Sequence, residues 1–212
     1  MASADSLTVR SPAELDVETG HVEVSVHGVV LAAGASDRYG TENKLLRPFE
    51  GEPLVAHATR TAVRSAVSGV TVVVGYEREK VASALDEFAV EIRHNDEFAR
   101  GQSASVVCGV EAASERSVDA AIFFLGDMPN VAVETVDLLV DVYAGTSYRA
   151  IAPVYEGQRG NPVLFDSEYF DVLGDVEGDV GGRDILLGAG DAIGIETGDP
   201  GVLEDVDEPS DI

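Results

Sequence analysis

The clearest structural signal in this chain is the stretch Val29-Val30-Leu31-Ala32-Ala33-Gly34-Ala35-Ser36-Asp37-Arg38-Tyr39-Gly40-Thr41-Glu42-Asn43-Lys44. It begins as an apolar run of the kind found in buried strands and then changes to small residues. Gly34 and Gly40 relax the backbone where the strand ends, and Arg38 and Lys44 add two cations to the same loop. Because small residues let main-chain N–H groups approach a ligand closely, the pattern predicts a loop that binds a nucleoside triphosphate.

The spacing of these residues excludes the two commonest phosphate-binding loops. A Walker loop requires Gly-x4-Gly-Lys-Ser/Thr, whereas Gly34 and Gly40 are six positions apart and Lys44 lies four further on. The dinucleotide fingerprint Gly-x-Gly-x-x-Gly is absent as well. An ordinary glycine-rich turn after a strand is the alternative interpretation of the stretch.

Length and composition predict a folded, soluble protein. The chain has 212 residues, of which 45% are hydrophobic, and this is ample material for a core. Its longest uncharged apolar run falls far short of the roughly 20 residues that a membrane span needs. Residues 1–20 are polar and acidic and lack the layout of a signal peptide. The single cysteine, Cys108, cannot form an internal disulfide, which is typical of a reducing compartment. Together these observations predict a cytoplasmic protein without a membrane contact.

The net charge restricts the possible partners. There are 39 acidic residues against 14 basic ones, which gives a formal net charge of −25. Such an anionic surface disfavours non-specific binding to nucleic acid or to anionic lipid. Because the acids are spread along a chain with a full apolar complement, we interpret them as a salt-adapted, halophilic surface rather than as disorder. The sequence contains only two lysines, Lys44 and Lys80, so a lysine in a glycine-rich loop is conspicuous.

Apolar patterns predict one α/β domain over residues 28–212. Residues 1–27 have few apolar positions, and we expect a flexible N-terminal extension, with a short strand at Val22–Val26 or a misplaced translation start as alternatives. Alternating strands and helices with strands buried on both faces are typical of a parallel sheet. The predicted strands are Gly28–Ala33, Val70–Val74, Val90–Arg93, Ala120–Leu125, Tyr148–Val154, Asn161–Phe165 and Ala192–Glu196, and the predicted helices are Leu54–Val67, Glu77–Phe88, Ser103–Ala113, Val133–Tyr143 and Asp184–Leu187.

An aspartate, Asp127, follows the buried strand predicted at Ala120–Leu125. In parallel α/β sheets, ligands bind beyond the carboxyl ends of the strands, where both Gly34 and Asp127 are expected. Magnesium prefers one or two carboxylates together with phosphate oxygens and water. Asp127 is therefore a candidate Mg²⁺ ligand, and a solvated turn aspartate is the alternative.

Two motifs resemble the signature of MobA-like nucleotidyltransferases. The first is Leu-Ala-Ala/Gly-Gly-x-Ser-x-Arg-x-Gly-x-x-Lys, which the residues from Leu31 to Lys44 match with one extra residue before the lysine. The second is Leu-x-Asp-Met-Pro, which Leu125-Gly126-Asp127-Met128-Pro129 matches. The resemblance covers roughly residues 28–211. It implies a three-layer Rossmann-like nucleotidyltransferase fold, with a mostly parallel sheet and helices on both faces.

A partial match lies near the C-terminus. Asp205-Val206-Asp207-Glu208-Pro209-Ser210-Asp211 resembles the family's Asp-Ile-Asp-Thr-Pro-Glu-Asp, from which Glu208 and Ser210 depart. The resemblance implies that Asp207 is a second metal ligand beside the acid of the Leu-x-Asp-Met-Pro motif. Asp205 is the substitute candidate.

Two segments resemble those that face the second substrate in the molybdenum cofactor cytidylyltransferase branch. They are Arg159-Gly160-Asn161-Pro162 and Gly178-Asp179-Val180-Gly181-Gly182-Arg183. The resemblance implies that Arg159 and Arg183 bind the phosphate of the acceptor, since guanidinium matches phosphate geometry. For an isolated arginine, an ordinary surface position is the alternative.

The resemblance implies a Mg²⁺-dependent transfer of CMP from CTP to the phosphate of molybdopterin, with release of pyrophosphate. Arg38 and Lys44 would hold the β- and γ-phosphates, and Asp127 and Asp207 would hold the metal ion. CTP is favoured because a pair of alanines before Gly34 is typical of the cytidylyl branch, whereas the guanylyl branch usually has two glycines. The residues expected near the base are Leu31, Ala32, Ala33, Gly34, Gly75, Gly101 and Ser105, of which Ser105 could also be only an early-helix hydroxyl.

Other functions are compatible with the same residues. A GTP-dependent molybdopterin guanylyltransferase and a sugar-phosphate nucleotidyltransferase share this chemistry. A non-catalytic nucleotide-binding accessory protein of a molybdoenzyme would use the same pocket without turnover. A molybdoenzyme or its maturation factor is the expected protein partner.

Overall fold

The computed structural model describes residues 7–15, 23–34, 43–176, 178 and 182–207. In these ranges, eleven β-strands and six α-helices follow one another. The strands are β1 (Val9–Arg10), β2 (Val26–Ala32), β3 (Pro48–Phe49), β4 (Glu52–Pro53), β5 (Gly69–Val74), β6 (Glu91–His94), β7 (Ala120–Leu125), β8 (Ala150–Tyr155), β9 (Gln158–Arg159), β10 (Val163–Asp166) and β11 (Ala192–Glu196). The helices are α1 (Leu54–Arg64), α2 (Arg78–Ser83), α3 (Gln102–Ser114), α4 (Val133–Gly145), α5 (Phe170–Gly174) and α6 (Arg183–Gly188). None of the helices in these ranges is long and apolar enough to cross a bilayer.

Nine strands form one sheet, in the order β1-β11-β8-β10-β7-β2-β5-β6 with β9 paired to β8. The central strand β2 is parallel to β5 on one side and to β7 on the other. Strand β10 runs antiparallel to both of its neighbours, β7 and β8. The remaining strands along this order point the same way, so their carboxyl ends share one edge of the sheet, called the carboxyl edge below.

The central strands are apolar on both faces, and helices therefore cover the sheet on two sides. Val30 of β2 belongs to a buried cluster that includes residues of α1 and α4. Its neighbour Val29 belongs to a second cluster with residues of α3 and α5. Successive side chains of a strand point to opposite faces, so a continuous apolar run requires cover on both. The predicted three-layer, mostly parallel α/β fold is confirmed.

The N-terminal segment differs from its prediction. The sequence predicts a flexible extension over residues 1–27, yet Val9–Arg10 forms β1 and pairs in parallel with β11. Strand β2 also begins at Val26, two residues before the predicted Gly28. A two-residue edge strand is too short to show a period in the sequence. The described part of this segment therefore contributes to the sheet.

One helix is shorter than predicted, and the sheet contains one strand whose direction the sequence analysis left open. The predicted helix Glu77–Phe88 is helical only over α2, because the N–H groups of Leu85 and Phe88 bond three residues back, to Ala82 and Leu85, and tighten the chain into turns. Strand β10 runs opposite to both of its neighbours, and an apolar pattern cannot reveal the direction of a strand. The pattern gives the burial of a strand but not its direction.

Backbone hydrogen bonds join the strand ends at the carboxyl edge. The N–H of Gly126, after β7, donates to the carbonyl of Leu31 at 3.0 Å. The N–H of Tyr76, after β5, donates to the carbonyl of Ala33 at 3.1 Å. The loops that leave these three strands therefore begin at fixed positions relative to one another.

Replacing Gly109 with valine should destabilise the fold. A Cβ at Gly109 would lie 2.5 Å from Cγ1 of buried Val29, so α3 could no longer pack closely on β2. We expect the free energy of unfolding, measured by urea denaturation, to fall by about 1–3 kcal/mol. Gly174→Val is the control, because Gly174 has open space around its Cβ position. Equal stability of the two variants would contradict this packing.

Buried His27 should make stability depend on pH. Its Nε2 lies 2.9 Å from Oγ1 of Thr71, and burial, with the charge of Arg116, lowers the pKa of His27 from 6.5 to about 4. Between these values the unfolded chain binds a proton that the folded chain rejects, so the His27 contribution to stability falls as pH decreases from 6.5 to 4. We expect the free energy of unfolding, measured by urea denaturation at several pH values, to increase more steeply with pH in the wild type than in His27→Gln. The difference in slope should be up to about 1.4 kcal/mol per pH unit. Parallel curves over this range would contradict a neutral buried imidazole, and above pH 7 the two curves should run parallel.

Candidate functional site

Two carboxylates meet one ammonium group at the carboxyl edge. Nζ of Lys44 lies 2.7 Å from Oδ2 of Asp127 and 3.0 Å from Oδ1 of Asp207. The exposed fractions of these side chains are 13% for Lys44, 22% for Asp127 and 43% for Asp207. The cluster is therefore partly buried, yet open to solvent on the Asp207 side. It joins the loop after β2, the loop after β7 and the C-terminal segment.

A buried asparagine holds the backbone at Lys44. Oδ1 of Asn43 accepts the N–H of Leu45 at 3.1 Å and caps the 3₁₀ turn Lys44–Leu46. Nδ2 of Asn43 donates to the carbonyl of Tyr76 at 3.3 Å, which links this turn to the end of β5. Leu45 is buried in the core. The Lys44 backbone is thus fixed, while its side chain extends to the carboxylates.

The C-terminal segment brings Asp207 to Asp127. The N–H of Val206 donates to the carbonyl of Asp127 at 3.0 Å, and the Val206 side chain is buried. Beside the buried Val206, Asp205 is exposed and Asp207 is half-buried. Sequence separation gives no indication of this contact.

Asp199 fastens the start of the same segment. Its Oδ2 accepts hydrogen bonds from the N–H of Ala132 at 3.0 Å and from Oγ1 of Thr135 at 2.7 Å. Its Oδ1 accepts the N–H of Gly201 at 2.9 Å. Ala132 is the N-cap residue of α4 and has no capping side chain of its own, so Asp199 supplies the cap from a distant part of the chain.

The electrostatics of the cluster favour a cation. Burial lowers the pKa of Lys44, but the charges and hydrogen bonds of Asp127 and Asp207 outweigh it, so the net pKa is raised. Burial, followed by the negative charges of Asp207 and Asp127, raises the pKa of Asp205. The charge of Lys44 opposes that shift. The negative charges of Asp127, Asp205 and Asp207 therefore interact, and the positive charge of Lys44 reduces their repulsion.

The donor set at this cluster fits a magnesium ion that also binds phosphate. In the part of the chain that the structure describes, no group of three or more His, Cys, Asp or Glu side chains is arranged to hold a metal. Asp127 and Asp207 offer carboxylate oxygens around one point. Magnesium commonly takes one or two carboxylates and completes its shell with substrate phosphates and water.

The residues predicted near the nucleotide base lie along the ends of β2 and β5 and the start of α3. Gly75 passes so close to β2 that a Cβ there would lie 2.8 Å from the carbonyl oxygen of Ala33. Gly34 is exposed beyond the buried Ala32 and Ala33. The strand ends therefore present main chain rather than side chains to the solvent side.

Ser105 lies in the interior rather than on the open surface. Its Oγ accepts a hydrogen bond from Nδ2 of Asn95 at 3.1 Å, and both side chains are buried. Oδ1 of Asn95 accepts the N–H of Glu97 at 2.9 Å. Gly101 caps α3 with a φ of 105°, a conformation that favours glycine. Ser105 thus holds Asn95 at the end of β6.

A cavity of about 490 Å³ lies on the α3 face beside the carboxyl edge. Leu31 of β2 and Leu125 of β7 line it, together with Arg159 and Arg183. Burial, and then the charge of Arg183, lowers the pKa of Arg159. Two guanidinium groups that line one cavity indicate a preference for an anionic group.

The structure brings together six of the residues predicted from the sequence, in two groups. Lys44, Asp127 and Asp207 form one cluster, and Leu31, Arg159 and Arg183 line one cavity. Arg38 lies outside the described residues, so its predicted role stays a prediction. So do the expected contacts of Asp179–Gly181.

Three supporting residues were missed by the sequence analysis: Asn43, Asn95 and Asp199. Asn43 precedes a short helical turn and Asp199 begins an Asp-Pro-Gly turn, which are recognisable capping and turn signals. Asn95 follows a short strand and carries no signal beyond that position. Their partners lie far away in sequence, so only the fold reveals what they support.

Comparison with known proteins connects this geometry to a family. The family model described as MobA-like NTP transferase domain matches residues 28–192. The purine catabolism protein PucB of Bacillus subtilis is 32% identical over 200 residues, covering 87% of this chain and 92% of that protein. The nicotine blue oxidoreductase of Paenarthrobacter nicotinovorans is 30% identical over 167 residues, covering 76% and 81%. The crystal structure of Rv0371c from Mycobacterium tuberculosis superposes with a TM-score of 0.74 at 26% identity, covering 88% of this chain and 95% of that one.

Removing the carboxylate of Asp199 should loosen the C-terminal segment. Asp199→Ala leaves the N–H groups of Ala132 and Gly201 without this acceptor, and we expect a loss of about 1–3 kcal/mol in the free energy of unfolding. Urea denaturation measures it, and Asp141→Ala, at an exposed position of α4, is the control. An Asp199→Ala variant as stable as the control would show that this carboxylate does not fasten the segment.

Proposed function

The chain belongs to the MobA-like NTP transferase family, and we propose that it transfers CMP from CTP to the phosphate of a molybdopterin-type acceptor. The observation that carries this proposal is the contact of Lys44 with Asp127 and Asp207. It combines a cation for phosphates with oxygen ligands for a metal at the carboxyl edge of the sheet, where such folds bind ligands.

The proposed reaction requires no nucleophile from the protein. A phosphate oxygen of the acceptor forms a bond to the α-phosphorus of CTP, and the bond from that phosphorus to the oxygen bridging to the β-phosphate breaks. Pyrophosphate leaves with the electron pair of the broken bond. Catalysis then consists of positioning and of neutralising charge on the phosphates. Lys44 is the described residue suited to neutralise the leaving pyrophosphate, and Arg38 is the second residue proposed for it.

Asp127 and Asp207 are the residues proposed to hold Mg²⁺. When bound, the ion supplies Lewis-acid stabilisation of charge on the phosphate oxygens. The chain itself fixes the two carboxylates, one through the end of β7 and the other through the buried Val206.

The cavity with Arg159 and Arg183 is the proposed acceptor site. Apolar side chains such as Phe123 and Phe165 line it beside the two guanidinium groups. Such a lining suits a flat heterocycle that carries a phosphate. Leu31 and Leu125 also line the cavity and lead to the strand ends that carry the cluster, so an acceptor bound here lies beside the proposed triphosphate site.

The choice of CTP follows the pair Ala32-Ala33, which resembles the cytidylyl branch of the family. The base would lie against main chain of the strand ends near Gly34, Gly75 and Gly101. The name of the Paenarthrobacter relative denotes redox chemistry of that protein. For this chain we favour nucleotidyl transfer, because its cation and carboxylates are arranged for a charged phosphate chain.

Pyrophosphate release tests the choice of nucleotide. Purified protein with Mg²⁺ and molybdopterin should release pyrophosphate with CTP, and much less with GTP, ATP or UTP. Release with GTP alone would replace the cytidylyl assignment by the guanylyl one. Release of pyrophosphate with a sugar phosphate, and not with molybdopterin, would show that the acceptor is a sugar phosphate.

Replacing Asp127 with asparagine tests whether the cluster is catalytic. The amide keeps the size of the side chain but removes the charge proposed to bind Mg²⁺, and we expect the rate to fall by about 10²–10³-fold. Asp141→Asn is the control, because Asp141 is exposed on α4. A full rate in Asp127→Asn would disprove the proposed metal mechanism, and a wild type that binds CTP without releasing pyrophosphate would be a non-catalytic accessory protein.

A further inference from the structure

We propose that Lys44 makes the site selective for a divalent metal ion that arrives together with the triphosphate, and that it keeps the free protein from binding the metal ion alone. The ammonium group occupies the point between Asp127 and Asp207 to which a metal ion would bind. The inference rests on the proposed function, since it takes these two carboxylates as the residues that meet the metal–triphosphate complex.

The first step of the argument is competition between cations. Nζ of Lys44 is within 3.0 Å of both carboxylates, and its side chain is 13% exposed. Partial burial weakens screening by salt, so a metal ion that approaches from solvent is repelled by a cation already in place. The carboxylates are also already partly neutralised, which reduces the gain from binding a metal ion.

The second step is the exchange of partners when a triphosphate binds. The phosphates offer oxygen acceptors and negative charge, to which the ammonium group of Lys44 can move. The carboxylates can then bind the metal ion that the triphosphate carries. Because Asn43 and buried Leu45 fix the backbone, this exchange needs only a rotation of the Lys44 side chain.

The third step concerns the repulsion between the carboxylates of the cluster. Asp127 and Asp207 both lie within 3.0 Å of the same ammonium group, so the two carboxylates are close enough to repel one another. A cation between them relieves this repulsion in the free protein. Without Lys44, the negative charges of the two carboxylates would attract a metal ion from solution. The variant would then bind metal without nucleotide.

Binding linkage gives the quantity to measure. If Lys44 couples the two ligands, the triphosphate must raise the affinity for the metal ion by the same factor as the metal ion raises the affinity for the triphosphate. Removing Lys44 should reduce this coupling factor, because it changes the affinity for each of the two ligands. Binding of metal ion to the free protein should rise, and binding of the triphosphate should weaken.

The test uses Mn²⁺ in place of Mg²⁺, with free Mn²⁺ counted by electron paramagnetic resonance. The triphosphate is a CTP analogue with a methylene group between the α- and β-phosphorus atoms, so that no turnover occurs. We expect Lys44→Met to bind Mn²⁺ alone about tenfold more tightly than the wild type, and the coupling factor to fall about tenfold. Circular dichroism verifies that each variant is folded.

The second lysine of the chain is a matched control. Lys80 pairs with Glu77 on the surface with 67% of its side chain exposed, so Lys80→Met should change neither affinity. The double variant Lys44→Met/Asp127→Asn should lose the gain in Mn²⁺ affinity, which assigns the gain to this cluster. If folded Lys44→Met binds Mn²⁺ no more tightly than the wild type, the inference is wrong.

Failure of the inference can be told apart from failure of the proposed function. Mn²⁺ binding is measured without acceptor or turnover, whereas nucleotidyl transfer is measured by pyrophosphate release. A wild type that releases pyrophosphate, with no gain of Mn²⁺ affinity in Lys44→Met, overturns only the inference. A gain of Mn²⁺ affinity in a protein that transfers no nucleotide supports the inference on the site and overturns the proposed activity.

Discussion

The parallel pairing of β2 with β5 and β7 is the constraint on which the rest of this structure depends. The pairing runs from His27 opposite Gly69 to Ala32 opposite Val74 on one side, and from Val26 opposite Ala120 to Leu31 opposite Leu125 on the other. Because these strands end together, the loops that follow them leave the sheet side by side. The approach of Lys44 to Asp127 is a consequence of this register, and a slip of one residue would turn every side chain of β2 to the other face.

The site places one cation among the acids that dominate this molecule. The chain carries a formal net charge of −25, yet its two lysines are placed differently, one on the surface and one between carboxylates. A cation in that position reduces the repulsion between Asp127 and Asp207 and stabilises the contact of the C-terminal segment with the loop after β7. The same balance links stability to function, since the charges that hold this segment are those proposed to meet the substrate.

Much of the fold and part of the site could be predicted from the sequence. The buried strands and the helices between them followed from apolar runs such as Val70–Val74, because burial on both faces leaves a mark in the sequence. The edge strand at Val9–Arg10 and the reversed direction of β10 could not be predicted. The first is too short for a pattern, and the second depends on which neighbours the strand finds.

The sequence by itself determined the class of fold, the resemblance to one family and the residue types available for phosphate and metal, because these depend on local order along the chain. The resemblance implied that Asp127 and Asp207 share one site, and the tertiary structure decided that Lys44 lies between them. Asp207 lies 163 positions from Lys44 and reaches it only because Val206 is buried against the loop after β7. Ser105 became a support for Asn95, since their contact depends on the packing of α3 against the end of β6. Contacts between distant segments are set by packing and register, and the local pattern of a sequence does not contain them.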